Sequence, residues 1–335
     1  MMMNQNEPGG NPIELRGVRK SYRGKVVLEG ATLSVPCGSV TGLLGKNGAG
    51  KTTLIKCALG LHRLDEGNAE IFGEPTWTLS AEAKSRLAYV PQEVSLLPHM
   101  RIKQLVKYTS AFYPKWNQDL VEKLIREWEL DRESRVGPLS QGQQQKLALI
   151  LALGHEPELL VLDEPAASLD PAARRQFLSE ILEVAIDGER TVLFSTHITS
   201  DLERVADRVA IIKSGRVLLN EELATLKDSI KRIRIHAEEE FPKSRVDLLS
   251  ATRSLKSREK GGGGTATVGA ATAEAATVEE GEADVLSERI EGRNAILSVR
   301  GFSEGLREDL ESLWKAEVSV EDLNLEEIFL ELHHE

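Results

Sequence analysis

Gly45, Gly50, Lys51 and Thr52, in the stretch GKNGAGKTT, satisfy the spacing G-x-x-x-x-G-K-[ST]. An apolar run, Ser39 to Leu44, precedes the stretch and a helix-compatible run, Thr52 to Leu59, follows it. That order, strand then helix, is the context in which the spacing makes a phosphate-binding loop. The glycines let the backbone bend so that successive N–H groups point inward at phosphate oxygens, and the helix adds its positive N-terminal end. Lys51 is expected to reach the β- and γ-phosphates, and the Thr52 hydroxyl to sit on Mg2+. Lys46, Asn47, Gly48, Ala49 and Thr53 complete the cradle. Alone, the loop implies a nucleoside triphosphate.

Hydrolysis of a γ-phosphate needs a metal to neutralise charge, donors around the transferring group and a positioned water, so the protein supplies placement and electrostatics. LLVLDEP, Leu159 to Pro165, delivers two candidates at the carboxyl end of an apolar strand. Asp163 is placed to hold Mg2+ through water. Glu164 is placed to orient the attacking water and accept its proton.

The elements that position these groups follow from the pattern. IELRGVRKSY and KVVLEGATLSV read as strands joined by a turn at Arg23 and Gly24, with Tyr22 ending the first. A strand-turn-strand signal spans Gly67 to Gly73, and RLAYVPQE, Arg86 to Glu93, is a buried strand ended by Pro91 that leaves Gln92 on a loop. Ile102, Leu105, Val106 and Tyr108, then Leu120, Leu124, Ile125 and Trp128, recur at helical spacing. They place a helical subdomain, about 93–140, inside the α/β core. Ser140 caps a helix from Gln141 to Leu153 that Gly154 and Pro157 stop. Strand Leu159 to Leu162, helix Pro171 to Ile186, strand Thr191 to Ser195 and strand RVAIIKSG follow, closing at Gly215. Strands alternating with helices specify a doubly wound, mostly parallel sheet, with an antiparallel β part at its start.

Beyond 226 the character changes. Ile230 to His236 alternates as a strand. Ser257 to Asp284, with GGGG at Gly261 to Gly264, is too poor in large apolar residues to build a core and reads as a flexible insertion. Order is expected to return with AILSVRGF, helix Glu304 to Trp314, strand Glu317 to Leu323 and a last helix in LNLEEIFLELH. The expected organisation is a tail at 1–12, an ATPase domain at 13–226, and a small α+β domain at 227–335 interrupted at about 257–284.

The bulk numbers agree with two domains in 335 residues, and the 41% hydrophobic and 28% charged content is ordinary for a globular chain. The longest apolar run, Leu147 to Leu153, is far too short to span a bilayer. The first residues, MMMNQNEPGGNP, lack the basic region and apolar core of a secretion signal. A formal charge of -11 argues against a broad footprint for nucleic acid. Cys37 and Cys57 make no metal-ligand spacing, and His333 and His334 read as solvated in the tail.

With these residues together, the chain resembles the nucleotide-binding subunit of an ATP-binding-cassette transporter. The marks run in order from Ile13 to about Gly215: Tyr22, the phosphate loop, Gln92, the signature LSQGQ, LLVLDEP, ASLD at Ala167 to Asp170, and STH ending in His197. The resemblance implies that Tyr22 stacks on adenine, that Gln92 senses Mg2+ and moves the helical subdomain, and that His197 holds the γ-phosphate. It also implies that Ser140, Gly142 and Gln143 of the signature face the ATP held by a partner's Lys51, with Asp170 supporting that contact. The expected partners are a second copy or a closely related cassette, and a separate transmembrane permease that keeps the chain on the cytoplasmic face of the membrane. Lys46 stands where the family more often has proline and Gln141 where it more often has glycine; neither departure removes a group assigned to catalysis. DLNLEEIFLEL and FYPKWN, Phe112 to Asn117, resemble exporter-type cassettes. A soluble cassette ATPase acting on ribosomes or DNA is the competing reading, disfavoured by a single phosphate loop, no heptad array and no cysteine cluster.

Overall fold

In the computed structural model, which describes residues 10–167, 169, 171–186, 190–241 and 283–333, the chain opens with a hairpin. Strands β1 (Ile13–Tyr22) and β2 (Lys25–Val35) are joined by Arg23 and Gly24, both at positive φ, 49° and 81°. Two consecutive left-handed residues make the turn whose twist matches antiparallel strands. β3 (Val40–Leu44) leads through the phosphate loop into α1 (Lys51–Ala58); β4 (Glu66–Ile71) and β5 (Glu74–Pro75) then extend the first sheet to the order β2-β1-β4-β5.

The second sheet carries the chemistry. After α2 (Ala81–Ser85) come β6 (Leu87–Val90), α3 (Ile102–Ser110), α4 (Gln118–Glu127), α5 (Gln141–Leu153), β7 (Leu159–Leu162), α6 (Pro171–Ile186), β8 (Thr191–Thr196), α7 (Thr199–Val205), β9 (Arg208–Lys213) and β10 (Arg216–Glu222). The six strands lie in the order β10-β9-β3-β8-β7-β6, parallel except for β10. Every residue of β3, β7 and β8 is buried, so none of these strands alternates between a buried and an exposed face. At Gly42 in β3 the fit is close: a Cβ there would fall 1.5 Å from Leu202 Cδ2 of α7.

α1 is held between the two sheets. Its Leu54, Ile55, Cys57 and Ala58 share one core with Ile13, Leu15, Leu28 and Ile71 of the first sheet and with Leu43, Val161, Leu193 and Ile212 of the second. Cys57 is fully buried in this core.

The helical region is partly as expected. Ile102, Leu105, Val106, Leu124, Ile125 and Trp128 are buried, whereas Tyr108 is 49% exposed and meets Phe112 edge to face at 5.1 Å. FYPKWN forms a clasp. Tyr113 stacks on the buried His155 ring with centroids 4.0 Å apart, Trp116 lies where a Cβ on Gly154 would be, and Asn117 N–H donates to Gly154 O at 2.7 Å. His155 Nε2 lies 3.2 Å from the Leu87 carbonyl of β6.

By contact density the chain separates into Met1–Leu223 and Ala224–Glu335. The second unit begins its regular structure with α8 (Leu223–Ser229), then forms a four-stranded antiparallel sheet from β11 (Ile230–Ala237), β12 (Asp284–Glu291), β13 (Asn294–Arg300) and β14 (Ala316–Asp322), in the order β12-β13-β11-β14. Ile233, Ile235, Leu297, Val299 and Val318 form its core with Leu310 of helix Glu304–Trp314. Arg232 binds Glu327 and Glu331 of helix Leu325–His333 at 2.9 and 3.1 Å.

Three expectations change. The α/β unit does not close at Gly215: Ser214 (φ 48°) and Gly215 (φ 79°) make a second tight turn, and β10 pairs back on β9. Order returns with β12 rather than at Ala295. His333 belongs to the last helix, its Nδ1 2.7 Å from the Phe329 carbonyl. Most of the tract at 257–284, and His334, lie outside the described residues.

Candidate functional site

The phosphate loop is built so that its backbone faces outward without a side chain in the way. Gly48 and Gly50 have φ of 81° and 110°, a region glycine occupies at no steric cost. A Cβ on Gly45 would fall 2.7 Å from both Ile212 O and Ile212 Cγ2, so the loop starts pressed against β9. Gly45 N–H donates to Thr196 O at 3.3 Å and Gly215 N–H to Ala49 O at 2.9 Å, which pins one limb of the loop to the end of β8 and the other to the β9–β10 turn. α1 begins with no side-chain cap and no acidic residue in its first turn. Its leading N–H groups and dipole are therefore kept for an anion.

Lys51 folds back over this loop. It is 5% exposed, with Nζ 2.8 Å from Gly45 O, 3.4 Å from Lys46 O and 2.9 Å from Glu164 Oε1. Glu164 is also bound on its other oxygen, Oε2 lying 3.0 Å from His197 Nδ1. One carboxylate thus joins the loop lysine to the histidine after β8.

The pair at the end of β7 is fixed by a residue that spacing did not single out. Ser195 Oγ accepts from Glu164 N–H at 2.9 Å and donates to Asp163 Oδ1 at 2.7 Å. Glu164 has φ of 44°, a left-handed conformation that costs a non-glycine residue roughly 1 kcal/mol and persists where neighbours over-determine it. Asp163 is fully buried, and its Oδ2 has no hydrogen-bond partner among the described residues. A buried carboxylate oxygen left open fits a hard cation and its water shell.

These groups surround a cleft of about 500 Å3 lined by Val27, Asn47, Gly48, Gly50, Lys51, Thr52, Thr53, Gln92, Glu164, Ala167 and His197. That volume suits a nucleotide-sized ligand. The expected residues Asn47, Gly48, Gly50, Lys51, Thr52, Thr53, Gln92, Glu164 and His197 are therefore brought together. Gly45, Lys46 and Ala49 shape the loop from outside that wall, and Asp163 stands behind it. Val27 and Ala167 were not expected.

Four other residues lie elsewhere. Tyr22 is 38% exposed at the end of β1, its hydroxyl bonded to His62 Nδ1 and its ring edge-on to the His62 ring at 5.7 Å. Ser140 and Gln143, both exposed, and the half-buried Gly142 form the start of α5, outside the cleft lining. Ser140 Oγ accepts from Gln143 N–H at 3.3 Å, and Gln143 Oε1 accepts from Ser140 N–H at 3.0 Å, a reciprocal cap that fixes the helix end. Asp170 lies outside the described residues.

Comparison with known proteins agrees with this arrangement. Residues 28–167 match the family model described as ABC transporter. The chain is 37% identical over 210 residues to Nod factor export ATP-binding protein I of Burkholderia orbicola (strain AU 1054), covering 61% of this chain and 69% of that protein. It is 34% identical over 223 residues to the protein of the same name from Burkholderia thailandensis, covering 65% and 73%. A solved ATP-binding subunit of an ABC transporter superposes with a TM-score of 0.58 at 29% identity, over 64% of this chain and 92% of that one.

Proposed function

The chain belongs to the ABC transporter family as an ATP-binding subunit, and from that premise we propose that it hydrolyses ATP to drive an exporter whose permease is a separate chain. The observation that carries the reading is the arrangement of Lys51, Glu164 and His197 across one cleft, with Asp163 tied to Glu164 by Ser195.

ATP enters with its phosphates over the loop, where backbone N–H groups and the α1 N-terminus oppose their charge. Its γ-phosphate competes with Glu164 for Lys51. Once released from the lysine, Glu164 keeps His197 as its neighbour and is available to orient water and accept its proton. His197 bonds the γ-phosphate and limits where that water stands. Asp163, Thr52 and Gln92 would hold Mg2+, which when bound would neutralise charge on the phosphates. Tyr22 stacks on the adenine ring.

Ser140, Gly142 and Gln143 act on the other copy. Their place outside their own cleft supports a head-to-tail dimer in which each α5 start faces the γ-phosphate on the partner's loop, with Asp170 beside it. Two ATP molecules are then enclosed between two chains, and hydrolysis lets the chains part. The partner cassette is a second copy of this chain or a close relative, and the permease couples closure to export. No helix among the described residues is long and apolar enough to cross a membrane, in keeping with a separate permease and a cytoplasmic-face position. The export-named relatives support the direction.

The test is to recover tagged Glu164→Gln chain, with ATP, from detergent-solubilised membranes of its host. A polytopic membrane protein in comparable amount is expected. Ribosomes or nucleic acid without a membrane protein would overturn the transporter reading.

A further inference from the structure

Arg174, in the first turns of α6, is not part of the cleft wall, yet its guanidinium grips the turn that leaves Glu164. Nε donates to Ala166 O at 3.1 Å and Nη2 to Leu169 O at 3.3 Å. Among the described residues the turn also carries backbone bonds from Ala167 N–H to Glu164 O and from Leu169 N–H to Ala166 O, both 3.2 Å. A planar fork that satisfies two carbonyls at once fixes their separation and direction, which a lysine point charge does not.

The same guanidinium faces the segment that carries His197. Nε lies 4.0 Å from Asp201 Oδ2 in the first turn of α7, and Asp201 is 7% exposed. Asp201 Oδ2 is 3.5 Å from Thr196 Oγ1, which accepts from Ile198 N–H at 3.1 Å. Thr196 and Ile198 flank His197. Burial pushes the Asp201 carboxyl above its ordinary range, and the Arg174 charge opposes that. Arg174, Asp201, Thr196, Glu164 and His197 all line one small pocket of about 10 Å3, at the lower limit for one water.

A further contact extends this cluster to α5. A Cβ on Gly142 would fall 2.9 Å from Leu169 Cδ2, so the residue whose carbonyl Arg174 holds lies against the start of the helix assigned to the partner's ATP.

We propose that Arg174 is a positioning residue for hydrolysis: it fixes the Glu164–Leu169 turn relative to His197 and to Gly142, so that the general base is aimed at its water. The role rests on the hydrolytic reading above. Because Arg174 does not line the cleft, its loss affects turnover and spares ATP binding.

Wild-type chain, Arg174→Ala, Arg174→Lys and Asp201→Asn are compared by steady-state phosphate release, and ATP affinity is measured with each change placed in the Glu164→Gln background. Arg174→Ala is expected to lower kcat roughly 10- to 100-fold, as for a misplaced catalytic group, with KM and ATP affinity within about twofold of the parent. Arg174→Lys should fall between, and Arg174→Ala with Asp201→Asn should lose less than the product of the single losses, because both act through one unit. A folded Arg174→Ala with wild-type kcat, or one whose ATP affinity falls in step with kcat, would overturn the role. If Arg174→Ala does not fold, Arg174→Lys decides by the same split. A wild-type chain that releases no phosphate would overturn the hydrolytic reading, and this role with it; an active wild type matched by Arg174→Ala would overturn this role alone.

Discussion

Lys51 Nζ and Glu164 Oε1 lie 2.9 Å apart, with both side chains over 90% buried, so the loop cation and the base that follows β7 neutralise each other across the cleft. A phosphate arriving at Lys51 has to displace a carboxylate already there. Under the proposed hydrolytic reading, the event that seats the γ-phosphate also frees Glu164, so binding and activation would be joined.

Removing the competing charge should favour the ligand. Glu164→Gln is expected to bind ATP about 2- to 10-fold more tightly than wild type, because like charge near the γ-phosphate is lost and Lys51 is released from its ion pair. Equilibrium titration with ATP at fixed Mg2+ measures this, and weaker binding would argue that Glu164 and the γ-phosphate do not meet at Lys51.

Lys51→Ala takes away the charge-assisted bond to phosphate and leaves Glu164 facing the ligand without the lysine's charge. A loss of roughly 10- to 100-fold in ATP affinity is expected, on the scale of one charged hydrogen bond. Unchanged affinity in the same titration would contradict the cradle.

Ser195→Ala strips one acceptor from Glu164 N–H and one donor from Asp163 Oδ1, both in the interior. Two unsatisfied groups should lower unfolding stability by roughly 1 to 3 kcal/mol, read from denaturant melts. Turnover should fall further than stability explains, and the Mg2+ concentration needed for half-maximal rate should rise, since Asp163 is no longer oriented. A variant with wild-type Mg2+ dependence would remove Ser195 from the site.

The clasp at His155 gives the fold a pH dependence. Burial, with the Arg190 charge adding to it, holds the His155 ring below its ordinary value of 6.5, and the Leu87 carbonyl only partly opposes this. The unfolded chain takes up the proton near pH 6.5 and the native chain resists it. This contribution to stability is therefore full above about pH 6.5 and is lost progressively as pH falls below it. His155→Phe, which keeps a ring on Tyr113 but cannot titrate, should show a shallower fall in melting temperature below pH 6.5 than wild type. Equal slopes would assign the acid sensitivity to other groups.

Much of the first unit is legible because its signals are local. The bounds of α5 follow from Ser140 as a cap and Gly154 as a stop, and β7 from four consecutive apolar residues. β10 escapes because RVLLNEE lies at the sheet edge with Leu218 43% exposed, leaving no clean alternation; its signal is the Ser214-Gly215 turn. β12 is hidden for a related reason: DVLSERIE is largely exposed and follows a tract with no core-forming pattern. In the site, residues with a role in fixed spacing are readable, as Lys51, Glu164 and His197 are. Ser195, Arg174 and Asp201 are not, because their contacts with the site exist only once β7, β8, α6 and α7 are side by side.

The central claim, that Glu164 activates water for ATP hydrolysis in this cleft, is tested most directly by phosphate release from the full-length chain with Mg2+ and ATP, wild type against Glu164→Gln. The wild type should turn over steadily, and Glu164→Gln should retain bound ATP while releasing phosphate roughly 100- to 1,000-fold more slowly. Steady release by Glu164→Gln at the wild-type rate would contradict the account.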